Sequence, residues 1–264
     1  MSEGKEIAKS KAQERQQKLI RIRRRRRTQL LVIVTVLLAL ILGIFQLFRS
    51  GLINIKKVEV VGNKSVSTAK IIEACRVDKH TNLLSVSTSD ISSRILKNPW
   101  IKNVTIKRIF PHTLKVEVQE RVPVAIVSQD EKFYLVDDDL FVISKHQYAN
   151  NNSSIPTITD LPIGKIWVGE QLMNDSLKNA IKCIKSMDPA FKKTISLISA
   201  PSPDKLSLYT KDNVEILYGE AKQADDKNKV LQTILKEQGK QVIFIDVRSY
   251  PHSDPVLRRM DSVP

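Results

Sequence analysis

The sequence has few of the residues on which catalytic and metal sites are built, with two cysteines, four histidines and eight glycines in 264 residues. It contains no CxxC pair, no P-loop and no G-x-S-x-G or H-E-x-x-H signature. These absences argue against a metal centre, a phosphate-binding loop and a histidine-activated nucleophile. Asp160, Glu170 and Asp175 could pair as glycosidase carboxylates, but acidic residues this frequent pair by chance. We therefore predict no catalytic residue, no metal ligand, no cofactor and no small-molecule substrate.

Positive charge is concentrated at the N terminus. Residues 1–28 contain eleven Lys or Arg and three Glu, a net charge of +8, and the rest of the chain carries only +7 of the total +15. Such a basic segment can contact nucleic acid, orient a membrane span or simply remain solvated. The residues that follow it decide between these alternatives.

An uncharged apolar segment follows directly. Residues 30–48 read LLVIVTVLLALILGIFQLF, and these nineteen residues approach the roughly 20 that a helix needs to cross a bilayer. A buried core helix seldom stays apolar for so long. A cleaved signal peptide would have a shorter apolar region followed by a small-x-small site, which is absent here. We therefore predict an uncleaved signal anchor over residues 29–49.

The basic residues also predict the orientation of this anchor. By the positive-inside rule the tail of residues 1–28 is cytoplasmic, and everything from about Ser50 onward lies outside the cytoplasm. Nucleic acid is thereby excluded as a partner of the folded part. The membrane-orienting residues are Arg23, Arg24, Arg25, Arg26 and Arg27.

Residues 50–121 are predicted to form a small α+β domain with the order β-α-α-β-β. Residues 57–61 alternate in polarity like a strand and end at a Gly-Asn turn. Two short segments with apolar residues at i and i+4 then predict helices. Alternation returns at residues 104–107 and 114–119, which predicts two further strands. The domain would have one polar sheet face and two helices covering the other.

Four fragments of this domain resemble the POTRA domain of the FtsQ/DivIB family of bacterial cell-division proteins. The fragments are VEVVGN at 58–63, NPWIKNV at 98–104, FPHTL at 110–114 and ERVPVA at 120–125. They occur in the family's order and directly after the predicted signal anchor. The resemblance implies a second domain of the FtsQ/DivIB β type after the POTRA domain.

Residues 122–250 are accordingly predicted to form a mostly antiparallel sheet domain with two or more helices. A hairpin of residues 133–136 and 140–143 surrounds three aspartates, Asp137 to Asp139. A solvated turn is favoured over a calcium site there, because no spaced acidic ligands follow. Cys75 and Cys183 fall in different predicted domains, so we expect two buried free thiols. The other predicted elements are helices at 177–184 and 230–235, strands at 206–209 and 214–218, and an apolar strand at 242–248 that resembles the family's IDxR strand.

Residues 251–264 are predicted to form a C-terminal edge strand and tail. Pro251 and Pro255 lack the N–H that a central strand must donate. An edge strand offers unpaired backbone groups to another chain, and the resemblance implies that a DivIC/FtsB-type coiled-coil protein docks there. Val256 and Leu257 would supply apolar contact, Arg258 and Arg259 would meet acidic groups, and Tyr250 would anchor the partner. The predicted partner-binding residues are Val247, Arg248, Tyr250, Val256, Leu257, Arg258 and Arg259.

The resemblance implies a non-enzymatic scaffold at the division septum, held in the cell membrane by one span. Its implied partners are FtsL-type and DivIC/FtsB-type proteins and a septal penicillin-binding protein, and it would help to control septal cell-wall synthesis. Two alternatives remain open. A membrane-anchored cell-wall enzyme would need a catalytic constellation, and a POTRA-containing protein-assembly factor would need repeated POTRA units or a following barrel.

Overall fold

The computed structural model describes residues 27–43, 46, 51–78, 80–146 and 155–260. Residues 27–43 are helical and are called helix α1. The predicted orienting residues 23–26 lie outside the described residues, as do positions 44, 45 and 47–49 of the predicted anchor. Among the described residues, no helix combines the length and the apolar character needed to cross a membrane.

The chain divides into two compact units. One contains the described residues up to Glu59 together with Val77–Val86 and Lys107–Lys115. The other contains Val60–Arg76, Ser87–Ile106 and the residues from Val116 onward.

A three-stranded sheet with the strand order β1-β3-β2 follows α1 in the chain. The β-α-α-β-β order predicted from the sequence is confirmed. Helix α3 starts after Ser87, because the Ser87 hydroxyl accepts a hydrogen bond from the Asp90 N–H at 3.2 Å and satisfies one free donor of the first turn. The elements are β1 Lys57–Val61, α2 Thr68–Cys75, α3 Thr88–Ile95, β2 Ile101–Ile109 and β3 Thr113–Glu120.

The larger sheet has nine strands in the order β12-β11-β10-β9-β8-β7-β4-β5-β6. Three neighbouring pairs are parallel, namely β4 with β7, β7 with β8 and β10 with β11. The other five pairs are antiparallel, which confirms a mostly antiparallel sheet. The elements are β4 Ala125–Gln129, β5 Lys132–Val136, β6 Val142–His146, β7 Thr157–Thr159, α4 Asp175–Lys185, α5 Pro189–Thr194, β8 Ile195–Ser199, β9 Ser207–Thr210, β10 Glu215–Leu217, α6 Ala224–Gln238, β11 Val242–Asp246 and β12 Val256–Arg259.

One row of side chains crosses this sheet and forms the centre of its core. Ile158, Ile198, Leu208, Ile216 and Ile245 lie opposite one another on successive strands, and all five are fully buried. They belong to one hydrophobic cluster with the buried face of helix α4. Strand alternation places these residues on a single face, so the register of the sheet is fixed by what this face buries.

Two details of the large sheet differ from the sequence prediction. Strand β11 ends at Asp246 and not at residue 248, because the Asp246 carboxylate accepts the Arg248 N–H at 3.0 Å and turns the chain. Helix α6 was expected to bury an apolar stripe around residues 230–235. Leu231 is buried and Ile234 and Leu235 pack against the core, as expected, but the other buried positions of the helix are Ala224, Lys227 and Asn228. Two polar side chains therefore face the core as well.

Candidate partner-binding site

The last strand, β12, forms one end of the large sheet. It pairs antiparallel with β11 on one side, and no other strand of the described part lies along its opposite side. Such an edge carries backbone N–H and C=O groups that a strand of another chain can bind. Strand β12 falls within the segment for which the sequence predicts an edge strand.

The four side chains of β12 divide between the core and the surface. Leu257 packs against the hydrophobic core. Val256 is 62% exposed, and the Arg258 guanidinium lies 5.0 Å from the centre of the Phe244 ring, within the range of a cation–π contact. Arg259 is exposed as well. The strand therefore presents one apolar and two cationic side chains at the surface.

The other three predicted contact residues lie between β11 and β12. Val247 is 1% exposed, so its side chain belongs to the core and offers a partner no surface. Tyr250 is half-buried against the same core. Arg248 is exposed, but its guanidinium binds the Asp246 carboxylate, with Nη2 2.6 Å from Oδ2. This hydrogen bonding lowers the pKa of Asp246 and raises the pKa of Arg248.

A buried lysine of helix α6 binds to this connection. Lys227 is 2% exposed, and its Nζ donates to the carbonyl oxygens of Tyr218 at 2.9 Å, Glu220 at 3.1 Å and Arg248 at 3.4 Å. Tyr218 follows β10 and Arg248 follows β11. Burial lowers the pKa of Lys227. One ammonium group thus joins the ends of two neighbouring strands to the segment that leads to β12.

An open cavity of ≈ 610 Å³ lies beside this lysine. Its lining includes Glu220, Lys227, Arg248, Tyr250 and His252. The lining mixes acidic and basic groups, and the three donors of Lys227 are used by main-chain carbonyls. We therefore assign this cavity no small charged ligand.

The turn between β5 and β6 contains a buried ion pair. Asp137 is 1% exposed, and its Oδ2 lies 2.6 Å from Nη1 of Arg121. Oδ1 of Asp137 accepts the backbone N–H groups of Asp139 and Phe141, each at 2.9 Å. The Arg121 guanidinium also stacks 3.7 Å from the centre of the Phe141 ring. The predicted solvated turn is therefore wrong for Asp137, because an arginine sixteen residues earlier in the chain compensates its charge inside the protein.

Two lysines bind the neighbouring aspartates. The carboxylate oxygens of the three aspartates lie within 4.8 Å of one another, a spacing that a cation could use. However, Lys102 Nζ lies 2.7 Å from Asp139 and 3.4 Å from Asp138, and Lys185 Nζ lies 3.1 Å from Asp138. The hydrogen bond from Lys185, with a smaller contribution from Lys102, lowers the pKa of Asp138. Since lysines already neutralise these oxygens, we assign no metal ligand here.

Glu120, directly before Arg121, binds a group of backbone N–H donors through its carboxylate. Its Oε1 accepts the N–H groups of Lys64 at 2.8 Å and Val66 at 2.9 Å, and its Oε2 accepts that of Ser65 at 2.7 Å. Burial alone would raise the pKa of Glu120, but these backbone donors lower it overall. The carboxylate thereby fixes the turn between β1 and α2.

Sequence reasoning missed the roles of Lys227, Arg121 and Glu120. A signal existed for Lys227, because it lies three residues after Ala224 and four before Leu231, on the same stripe of helix α6. For Arg121 and Glu120 the partners are distant in sequence, and only the fold brings them together. Both cysteines are buried and free, as predicted.

Comparison with known proteins agrees with this architecture. Residues 53–121 match the family model for the POTRA domain, FtsQ-type, and residues 125–248 match that for cell division protein FtsQ/DivIB, C-terminal. The chain is 24% identical to cell division protein DivIB of Clostridium tetani over 72% of this chain and 73% of that protein. It is 25% identical to cell division protein FtsQ of Corynebacterium glutamicum over 77% of this chain and 88% of that protein.

A solved structure is also similar to part of the chain. It is the major extracytoplasmic domain of the trans isomer of the bacterial cell division protein DivIB from Geobacillus stearothermophilus, which matches at 15% identity with a TM-score of 0.34. The match covers 46% of this chain and 98% of that one.

The sheet order and the two family models define a POTRA-type domain followed by a large sheet that ends in an open strand. The chain belongs to the FtsQ/DivIB family of bacterial cell-division proteins. The members of this family are scaffold proteins of cell division and are not known enzymes.

Proposed function

We propose that this chain is a non-enzymatic, membrane-anchored scaffold of the division machinery, and that β12 binds a DivIC/FtsB-type coiled-coil protein by strand addition. The observation that carries this proposal is the position of β12 at one end of the nine-stranded sheet, with its outer side unpaired among the described strands. Relatives named as cell division proteins support the role in division. FtsL-type proteins and a septal penicillin-binding protein are proposed as further members of the assembly, which would control septal cell-wall synthesis.

The backbone and the side chains of β12 would contribute to binding in different ways. Backbone pairing along the open side would supply affinity that depends little on sequence. Exposed Val256 would add apolar contact, and the cationic Arg258 and Arg259 would select an acidic partner segment. Tyr250, half-buried with a polar tip, would sit at the rim of the interface. Val247 and Arg248 would shape this surface from within the chain, since one is buried and the other is paired with Asp246.

The proposed domain organisation follows from the same reasoning. Residues 1–28 would form the cytoplasmic tail and residues 29–49 the single span. Residues 50–121 would form the POTRA domain, 122–250 the β domain, and 251–264 the edge strand and tail. The folded part would lie outside the cytoplasm at the septum.

The direct test is the affinity of the full-length chain for the DivIC/FtsB-type protein of the same organism, with both reconstituted in lipid nanodiscs. Val256→Asp places a carboxylate on the exposed side of β12, and truncation after Pro255 removes the strand. Both should weaken binding by at least about tenfold, or about 1.4 kcal/mol. Val122→Asp is the matched control, because Val122 is 70% exposed and lies outside the proposed edge. Unchanged affinity after the truncation, with the protein still folded, would refute binding at β12.

A further inference from the structure

The turn between β2 and β3 exposes apolar side chains where turns usually carry polar ones. Phe110 is 58% exposed and Ile109 is 44% exposed. Leu52, in the turn closed by the hydrogen bond from Asn54 N–H to Gly51 C=O, is 60% exposed. Ile109 and Phe110 are neighbours in the chain, and exposed apolar side chains that lie together mark sites of interaction with a membrane or a partner.

Backbone hydrogen bonds join this turn to the start of strand β1. The His112 carbonyl accepts the N–H groups of Lys56 at 2.9 Å and Lys57 at 3.3 Å. The preceding residues are held too, since Ile55 N–H donates to Thr81 and Leu83 N–H donates to Ile53, each at 2.9 Å. The exposed turn is therefore bonded to a part of the chain that follows the predicted signal anchor by only a few residues.

The distance along the chain to the predicted anchor is short. Lys56 follows Arg49, the last residue of the predicted anchor, by seven positions, and seven residues extend over at most about 25 Å. The turn at 51–54 shortens this path further. With residues 29–49 in the membrane, as the proposed function has it, the β2–β3 turn stays within reach of the bilayer surface.

The charge around the turn complements an anionic surface. The unit that contains the turn has six Lys or Arg in residues 51–59, 77–86 and 107–115, against one Asp and one Glu, a net charge of +4. Lys107 and Arg108 directly precede the exposed Ile109 and Phe110. Basic residues beside exposed Phe and aliphatic side chains are typical of segments that lie in a membrane interface, where each basic residue contributes about 1 kcal/mol with anionic lipid.

We propose that the β2–β3 turn, with Ile109 and Phe110 at its tip, rests in the outer interface of the membrane and binds anionic lipid through Lys107 and Arg108. This inference rests on the proposed membrane anchoring and adds a second point of attachment to it. A single helix allows the folded part to swivel about the membrane normal and to tilt. A second contact would hold this unit against the bilayer.

Site-directed spin labelling of the full-length chain in phosphatidylglycerol-containing vesicles tests this proposal. Both native cysteines are buried, so a nitroxide can be attached selectively at Phe110→Cys. Val122→Cys, at a residue exposed elsewhere, is the solvent control, and Leu38→Cys, within the apolar segment, reports on the anchor. Collision rates with oxygen and with a water-soluble nickel chelate then rank the three positions by depth.

We expect the label at position 110 to collide mainly with oxygen, as at position 38, and the label at position 122 to collide mainly with nickel. Adding Arg108→Gln, or replacing phosphatidylglycerol with phosphatidylcholine, should raise the collision rate of the label at position 110 with the nickel chelate. An unchanged collision rate in both cases would refute the role of anionic lipid. Equal accessibility at positions 110 and 122, or shielding of position 110 from both reagents by a second copy of the chain, would refute the contact with lipid and leave the anchor intact. Nickel access at position 38 would refute anchoring and this inference together.

Discussion

Replacing Lys227 with methionine should loosen the segment that leads to β12 while the large sheet stays folded. Methionine has nearly the same length and volume, so packing changes little. The three carbonyls lose hydrogen bonds of 2.9, 3.1 and 3.4 Å. Each bond from a charged donor contributes about 1.5–3 kcal/mol, and with the longest one weak the gross loss is about 5 kcal/mol.

Part of this loss is recovered, because the variant no longer buries an ammonium group. Desolvating such a group costs several kcal/mol, so we expect a net destabilisation of about 2 kcal/mol. At about 2–4 °C per kcal/mol, the melting temperature should fall by about 4–8 °C. The more specific effect should appear where the carbonyl of Arg248 has lost its donor.

Hydrogen exchange read by mass spectrometry locates that effect. In Lys227→Met, the amides of residues 249–259 should exchange faster relative to those of β8 and β9, and affinity for the DivIC/FtsB-type protein should fall. Leu231→Ala is the matched control, since Leu231 is buried one turn further along α6 and its loss costs about 2–5 kcal/mol through a cavity. If both variants raise the hydrogen-exchange rates of residues 249–259, β8 and β9 in the same proportion, Lys227 contributes general stability and does not position the edge strand.

Three further outcomes are expected. Arg121→Met leaves the buried Asp137 carboxylate uncompensated and should cost about 3–5 kcal/mol in urea unfolding, with Asp137→Asn restoring part of it; an unchanged midpoint would contradict the ion pair. Because the pKa of Glu120 is lowered in the fold, its contribution is present at neutral pH and is lost as the pH falls through that pKa. The stability gap between wild type and Glu120→Gln should therefore narrow on acidification, and a constant gap would exclude this role. Burial raises the pKa of both thiols, that of Cys183 to about 12, so a thiol reagent in mildly alkaline buffer should modify neither cysteine before denaturant is added; prompt reaction of the native protein would show that they are accessible.

The sequence predicted what depends on local pattern. Alternation and helical spacing defined the β-α-α-β-β order, and Pro251 and Pro255 indicated an edge because a missing N–H excludes a central strand. Patterns of this kind depend on apolar residues. They predicted a stripe of aliphatic side chains on helix α6 but not the burial of Lys227. The role of Asp137 was missed because its partner, Arg121, comes from outside the turn. Charges that are matched only in the fold leave no trace in local periodicity.

Glu120 and Arg121 are consecutive, yet each completes a different polar site. Glu120 holds the N–H groups of residues 64–66, and Arg121 holds Asp137. Inserting one residue between them would rotate one side chain away from its site, because successive side chains in extended backbone point to opposite sides. Natural variants of this protein should therefore keep a constant length at this junction, although stretches between two sheets usually gain and lose residues freely.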